Sequence, residues 1–298
     1  MLLHGRGSDA LKVCDMTINL PYDLAGLPKP EGEASLKVFL LPASDSLHRQ
    51  KEKPIVLICP GGGYAYCSDR EAEPIAMKFL AEGMHAAVLR YHTAPEAHHP
   101  VPLLEAAWAV KTIRQHAGEW HVIPDNVFIC GFSAGGHLAA SLSVFYDEPL
   151  LKQVLGSEVS LRPDGQILGY PVITMQDDFT HKGSRENLFG EGDVKLLKEQ
   201  LSLERHISPS CPPAFLFHTM EDGSVPVENS LQYACALRRA GVPFEMHVFE
   251  KGGHGLSTCD ALTATSREGI VPDNGSWIRM AIAFVRRHSH MPQFDETV

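Results

Sequence analysis

The chain lacks several features that mark common protein classes. It has no uninterrupted apolar run of about 18 residues, so we expect no transmembrane helix. Its first fifteen residues, MLLHGRGSDALKVCD, lack the apolar core of a secretory signal. Basic residues are not in excess, because 26 Lys and Arg stand against 36 Asp and Glu, giving a formal net charge of −10. These absences argue against a membrane or a nucleic acid as partner.

Paired cysteines are also missing. The chain has 7 cysteines, an odd number, and none of them has CxxC spacing. Cys59 and Cys130 lie in apolar runs, where a thiol acts as a small hydrophobic side chain. Together with the absence of a leader, this pattern predicts a cytoplasmic protein in a reducing compartment.

The chain shows no convincing motif for a metal or a cofactor. Gly61-Gly62-Gly63 is followed by neither a GK[ST] sequence nor a GxGxxG spacing, which disfavours a nucleotide-binding loop. His92, His98 and His99 share a loop in which Glu96 is the only carboxylate. That set is more typical of the solvated rim of a pocket than of a metal site. We therefore expect no cofactor and no metal ion.

The most informative stretch runs from 127 to 146. Val127–Cys130 is an apolar run typical of a buried strand, and Gly131-Phe132-Ser133-Ala134-Gly135 follows it directly. Small and apolar residues at helical spacing come next, so the order is strand, GxSxG, helix, as in a nucleophile elbow. At such a sharp turn, side chains at Gly131 and Gly135 would collide with the backbone. The motif predicts that Ser133 is raised above the sheet at the start of a helix, with His137 packed beneath it.

Predicted strands and helices alternate along the whole chain, which indicates one α/β domain over 1–298 with a mostly parallel, doubly wound sheet. The predicted strands lie at 16–20 (an edge strand), 35–41, 55–59, 85–91, 127–130, 167–173, 214–219 and 242–249. Ser68 and Glu71 have the spacing of a capping box that starts a helix ending near Glu82. Residues 147–164 are expected to form a polar connection.

A charged segment at 175–213 has no strand pattern and one helical stretch near 194–203. We expect it to form a small cap over the edge of the sheet. A surface crossover that does not contact a ligand remains the alternative.

An elbow serine needs a base and an acid that orients the base, and in this architecture they follow in the order Ser, Asp or Glu, His. His254 lies among glycines after the last predicted strand, which suits a proton shuttle. Glu221 and Asp222 follow the strand at 214–219. Asp222 is preferred as the acid and Glu221 remains the alternative, since Asp222 would otherwise cap the next helix.

Backbone N–H groups should bind the oxyanion of an acyl-transfer reaction. One donor is expected at Ala134, the residue after the nucleophile. The second is expected at Gly62 or Gly63, after the strand at 55–59. The choice between these two glycines stays open.

Five ordered motifs identify a resemblance. GFSAGGHLAASL, PGGGY, LRYHTAPEAHHP, CPPAFLFHTMEDGSVPVENSL and GVPFEMHVFEKGGHGL together resemble the α/β-hydrolase carbohydrate esterases, the acetyl-xylan-esterase-like lipase/esterase proteins. The resemblance spans about residues 36–260 and implies an α/β-hydrolase fold. It also implies that Ser133 is the nucleophile, Asp222 the acid and His254 the base. Glu221 departs from the Asp common before the acid, so the alternative acid stays open.

These observations predict a serine esterase that acts on short-chain, chiefly acetyl, esters of small molecules. Without a leader, acetylated oligosaccharides fit better as substrates than polymeric xylan. A peptidase or other acyl-transfer enzyme of the same fold is the alternative among enzymes. A non-catalytic binding protein is a third reading, but such proteins generally lose a member of the triad.

Overall fold

The computed structural model describes residues 10–43 and 51–289. Its strands are β1 (Lys12–Thr17), β2 (Ser35–Leu40), β3 (Lys53–Cys59), β4 (His85–Arg90), β5 (Val122–Phe132), β6 (Gly165–Gly169), β7 (Ala214–Thr219) and β8 (Phe244–Phe249). They form one sheet in the order β1-β2-β4-β3-β5-β6-β7-β8. The β1–β2 and β2–β4 pairs are antiparallel, and all pairs from β4 to β8 are parallel. The predicted mostly parallel sheet is confirmed.

Helices cover both faces of this sheet. They are α1 (Glu73–Ala81), α2 (Val101–Gln115), α3 (Ala117–Trp120), α4 (Ser133–Phe145), α5 (Pro149–Leu155), α6 (Lys182–Phe189), α7 (Val194–Leu201), α8 (Glu228–Ala240) and α9 (Ser276–His288). Alternate residues of β3 belong to two apolar clusters, one with α2, α4 and α8 and the other with α1 and α9. This division explains why β3 reads as a continuous apolar run. Within the described ranges, every helix is too short or too polar to cross a membrane.

The structure corrects several predictions of secondary structure. The edge strand predicted at 16–20 lies at Lys12–Thr17. The stretch at 147–164 contains α5, which buries Leu151 and Val154 but is too short to show a clear periodicity. The segment at 175–213 contains two helices, α6 and α7, instead of one. The strand predicted at 167–173 ends at Gly169, because the chain turns at Tyr170, whose φ is +36°. Residues 1–9, 44–50 and 290–298 lie outside the described residues.

Candidate active site

Ser133 lies at the junction of β5 and α4 with a φ of +54°, a left-handed conformation that is strained for a residue with a side chain. A Cβ atom on Gly131 would lie 2.1 Å from the carbonyl oxygen of Gly135. One on Gly135 would lie 2.1 Å from the carbonyl oxygen of Cys59. Real Cβ atoms do not come this close to another atom. Glycine is therefore needed at both positions to avoid a collision with the backbone, as the sequence predicts.

His254 and Asp222 lie beside this serine. His254 is in the loop after β8, and its Nε2 is 2.8 Å from Ser133 Oγ. Its Nδ1 is 2.6 Å from Asp222 Oδ2, in the loop after β7. Since β5, β7 and β8 are parallel, their carboxyl ends bring the three side chains to one edge of the sheet. A hydroxyl, an imidazole and a carboxylate in this order can form a nucleophile, a base and an orienting acid.

The Asp222 carboxylate is buried, and both of its oxygens accept hydrogen bonds. Its Oδ1 accepts the N–H groups of Ser224 and Val225, both at 2.9 Å. Its Oδ2 lies 3.4 Å from Nε2 of His218, a residue that the sequence analysis missed. Burial raises the pKa of Asp222, but hydrogen bonds from His218 and His254 outweigh this effect and bring the pKa below its usual value. The carboxylate therefore stays ionised and holds the ring of His254.

Glu221, the alternative acid, points elsewhere. Its carboxylate accepts hydrogen bonds from Lys251 Nζ at 2.9 Å and from the N–H of Gly252 at 3.1 Å. The Lys251 contact, followed by the Gly252 contact, lowers the pKa of Glu221. Half of this side chain is exposed, whereas the side chain of Asp222 has no exposed surface. The geometry therefore favours Asp222 over Glu221 as the partner of His254.

Residues 61–64, here called the glycine loop, lie against Ser133. Gly62 and Gly63 line the same cavity as Ser133 and have φ values of +121° and +65°. A Cβ atom on Gly62 would lie 2.1 Å from the carbonyl oxygen of Tyr66. Over the described part of the chain, the N–H groups of Gly62 and Gly63 find no acceptor. Ala134 is the second residue of α4, so its N–H is one of the first-turn donors that have no partner inside the helix.

Glu71 does not have the helix-capping role that the sequence predicts. Ser68 makes no capping bond with its side chain, and α1 begins only at Glu73. The buried carboxylate of Glu71 instead accepts the N–H of Gly61 at 2.9 Å and the hydroxyl of Tyr170 at 2.7 Å. The predicted capping box is thus wrong, because tertiary donors outcompete the local backbone for this carboxylate. The three-residue spacing of Ser68 and Glu71 is the only feature that suggests a cap. Nothing in the local sequence indicates that Glu71 accepts hydrogen bonds from these two donors.

The histidines predicted at the pocket rim do not line the cavity at Ser133. His92 is buried, and its Nδ1 lies 2.5 Å from Oε1 of Glu105, a contact that raises the pKa of His92. His98 Nδ1 bonds to the carbonyl oxygen of Asn187 at 2.7 Å. His99 lines a separate pocket beside α4 and α7. The contacts of His92 and His98 pair these two rings with protein groups, which loop composition alone could not reveal. Across the described ranges, no group of three His, Cys, Asp or Glu side chains could hold a metal ion.

His137 lies beneath the elbow, as expected. The Tyr64 hydroxyl is 2.9 Å from its Nδ1, and its Nε2 is 3.0 Å from the carbonyl oxygen of Leu201. Burial lowers the pKa of His137 to about 4, so the ring is neutral near pH 7. It links the glycine loop, α4 and the end of α7.

The segment at 175–213 contacts this site. Its residues His181 and Asn187 line the cavity, and Asn187 Nδ2 donates to the carbonyl oxygen of Gly63 at 2.8 Å. The sequence analysis missed both residues, because α6 has too few apolar positions to show a helical period. The cavity has a volume of about 320 Å³. Its other polar lining residues include Ser68, Arg70, Glu71, Ser133, Ser224 and His254.

Several known proteins are similar to this chain in sequence. The BD-FAE family profile matches residues 45–237, which include Ser133 and Asp222 but not His254. The chain is 39% identical over 212 residues to endo-1,4-beta-xylanase B of Butyrivibrio fibrisolvens, covering 70% of this chain and 33% of that protein. It is 31% identical over 225 residues to acetylxylan esterase of Xylanibacter ruminicola, covering 74% of this chain and 44% of that protein. The chain thus spans less than half the length of these two curated relatives.

Solved structures match over a larger share of both chains. An acetyl ester-xyloside bifunctional hydrolase from Caldicellulosiruptor lactoaceticus has a TM-score of 0.73 at 34% identity, covering 86% of this chain and 89% of that one. The carboxylesterase Cest-2923 from Lactobacillus plantarum has a TM-score of 0.81 at 27% identity, covering 95% and 99%. The predicted α/β-hydrolase fold and esterase resemblance are both confirmed. The chain belongs to the BD-FAE family of α/β hydrolases.

Proposed function

We propose that this chain is a serine esterase that hydrolyses acetyl and other short-chain esters. The observation that carries the proposal is the continuous contact from Asp222 through His254 to Ser133, at 2.6 and 2.8 Å, beside an open cavity. Its relatives include an acetylxylan esterase and a carboxylesterase, which supports ester hydrolysis as the reaction.

The geometry suggests an acyl-enzyme mechanism. Ser133 Oγ attacks the ester carbonyl while His254 Nε2 accepts its proton, and Asp222 fixes the ring and stabilises the imidazolium. The N–H groups of Ala134 and of Gly62 or Gly63 bind the oxyanion. His254 then gives the proton to the leaving alcohol, which departs and leaves an acyl group on Ser133. A water molecule, deprotonated by His254, attacks that acyl group. The bond between Ser133 Oγ and the acyl carbon then breaks as His254 returns the proton to Ser133 Oγ, and the acid is released.

We further propose that the alcohol half of the substrate is a carbohydrate or another small polyol, such as an acetylated oligosaccharide. The relatives named as acetylxylan esterase and acetyl ester-xyloside hydrolase support this choice. A cavity of about 320 Å³ lies at the small end of ligand pockets, which measure roughly 300–1,000 Å³. Its polar lining suits a hydroxylated ligand. The segment at 175–213 acts as a cap, since its helix α6 forms one wall of the cavity.

The test compares p-nitrophenyl acetate, butyrate and octanoate with acetyl release from acetylated xylo-oligosaccharides. We expect fast acetate release from the sugar and rates that fall from the acetyl to the octanoyl ester. A rate that rises with acyl length would contradict a short-chain site. Turnover of an aminoacyl p-nitroanilide without ester hydrolysis would favour a peptidase instead.

A further inference from the structure

His181 lines the cavity but has no role in the proposed mechanism. It precedes α6 directly and lines the cavity together with Ser133 and His254. A carbon of its ring, Cε1, lies 3.9 Å from the position that a Cβ atom on Gly63 would take. The ring therefore lies beside the glycine loop and lines the same cavity as the nucleophile.

Contacts with α6 fix the tautomer of this ring. Nδ1 of His181 accepts the backbone N–H of Ser184 at 3.1 Å and lies 2.8 Å from Ser184 Oγ. Because Nδ1 is an acceptor here, the proton of the neutral ring must be on Nε2. In the part of the chain that the structure describes, Nε2 has no hydrogen-bond partner, so it remains available to a molecule in the cavity.

The protein keeps the ring neutral and in place. Burial lowers the pKa of His181, and the nearby His254 lowers it further, although Asp222 acts in the opposite direction. The helix that His181 caps is itself attached to the glycine loop through the Asn187–Gly63 hydrogen bond. His181 thus presents one N–H donor from a fixed position, as a recognition group must.

The leaving alcohol forms in the same cavity that this donor lines. The oxygen of that alcohol must approach His254 Nε2 to receive its proton. His181 and His254 line the same cavity. A hydroxyl on the carbon next to the ester oxygen would then lie in the cavity that His181 lines.

We propose that His181 Nε2–H donates a hydrogen bond to the hydroxyl adjacent to the ester, so that the site selects monoacylated vicinal diols over simple esters. The inference rests on the proposed esterase function and adds a specificity-determining residue to it. Acetylated sugars carry this arrangement of a hydroxyl beside an acetyl ester, whereas alkyl acetates lack it.

The experiment uses two esters that differ only in this hydroxyl, cyclohexyl acetate and the monoacetate of trans-cyclohexane-1,2-diol. His181→Asn keeps a good N-cap for α6 but withdraws the donor from the cavity. His181→Gln is a poor cap, yet its longer amide still offers a donor. Asp193→Ala is the matched control, because Asp193 caps the neighbouring helix α7 and does not line the cavity.

We expect the wild-type kcat/KM to favour the diol monoacetate by about tenfold, the value of one good hydrogen bond. His181→Asn should lose most of this preference, His181→Gln should keep part of it, and Asp193→Ala should keep all of it. If His181 serves only as a cap, His181→Asn will keep the preference, and the inference is overturned. Equal wild-type rates on the two esters would also overturn it. Failure to hydrolyse either ester would instead count against the proposed function.

Discussion

The carboxylate of Glu71 accepts the N–H of Gly61 at 2.9 Å and thereby holds the start of the glycine loop. Its other oxygen accepts the Tyr170 hydroxyl, which in turn accepts the N–H of Ser257 at 2.9 Å. The ring of Tyr170 packs edge-on against His254, with centroids 5.0 Å apart. The buried carboxylate of Glu71 therefore joins the glycine loop, where an oxyanion donor is expected, to the loop that contains His254, the expected base.

Glu71→Gln should lower both stability and kcat. The amide of Gln has only one acceptor oxygen, so either Gly61 or Tyr170 faces a donor instead of an acceptor. We expect a loss of about 1–3 kcal/mol in the free energy of unfolding. We also expect kcat to fall by about tenfold as the oxyanion donors move. Urea unfolding and p-nitrophenyl acetate kinetics measure the two effects.

Tyr170→Phe is the control for this variant, because it keeps the Glu71–Gly61 contact and removes only the hydroxyl. Its kcat should fall less than that of Glu71→Gln. A Glu71→Gln protein that is destabilised but has the wild-type kcat would show that Glu71 does not position the glycine loop for catalysis.

Ser133→Ala should abolish ester hydrolysis, lowering kcat by roughly 10⁴-fold or more. The thermal midpoint should change little, since Ala retains the Cβ atom that the left-handed backbone already accommodates. A fluorophosphonate probe should label the wild-type peptide that contains Ser133 and leave the variant unlabelled. Labelling of another serine, with full activity in Ser133→Ala, would refute this assignment.

Asp222→Asn and Glu221→Gln form a matched pair of neighbouring substitutions. Asp222→Asn should lower kcat by about 10³–10⁴-fold, because an amide cannot stabilise the imidazolium and favours the wrong tautomer of His254. Glu221→Gln should change kcat by less than about twofold, since its side chain bonds to Lys251 and Gly252. The reverse order of effects in steady-state kinetics would make Glu221 the acid.

Two buried histidines should make stability depend on pH. Burial lowers the pKa of His85 and of His137 to about 4 in the folded protein, against 6.5 when they are exposed. Between these values the unfolded chain binds more protons, so stability is complete above pH 6.5 and is lost as the pH falls toward 4. Each histidine contributes up to about 1.4 kcal/mol per pH unit in this range.

Urea unfolding of wild type and His137→Gln between pH 5 and pH 7.5 tests this effect. The variant should be less stable at pH 7.5, where it lacks the contacts with Tyr64 and Leu201. The slope of its free energy of unfolding against pH should also be smaller, by an amount that corresponds to close to one proton taken up on unfolding. Parallel curves for the two proteins would mean that His137 does not titrate as described.

Local sequence patterns are sufficient to predict the centre of the molecule. The GxSxG turn specifies its own backbone, because a side chain on Gly131 or on Gly135 would lie 2.1 Å from a backbone oxygen. Parallel strands end at the same edge of a sheet, so the order Ser133, Asp222, His254 along the chain was enough to predict that they meet. The alternation of strands and helices likewise predicted the doubly wound sheet.

Only the tertiary structure decided which distant groups each polar side chain would meet. Glu71 bonds to Tyr170, 99 residues away, although its spacing from Ser68 is that of a capping box. His92 reaches Glu105 within the protein, whereas His181 turns to the cavity, and loop composition does not distinguish the two. Periodicity and turn motifs describe the backbone over a few residues. A buried polar group takes its partners from whichever elements pack around it, and that choice is made when the whole chain folds.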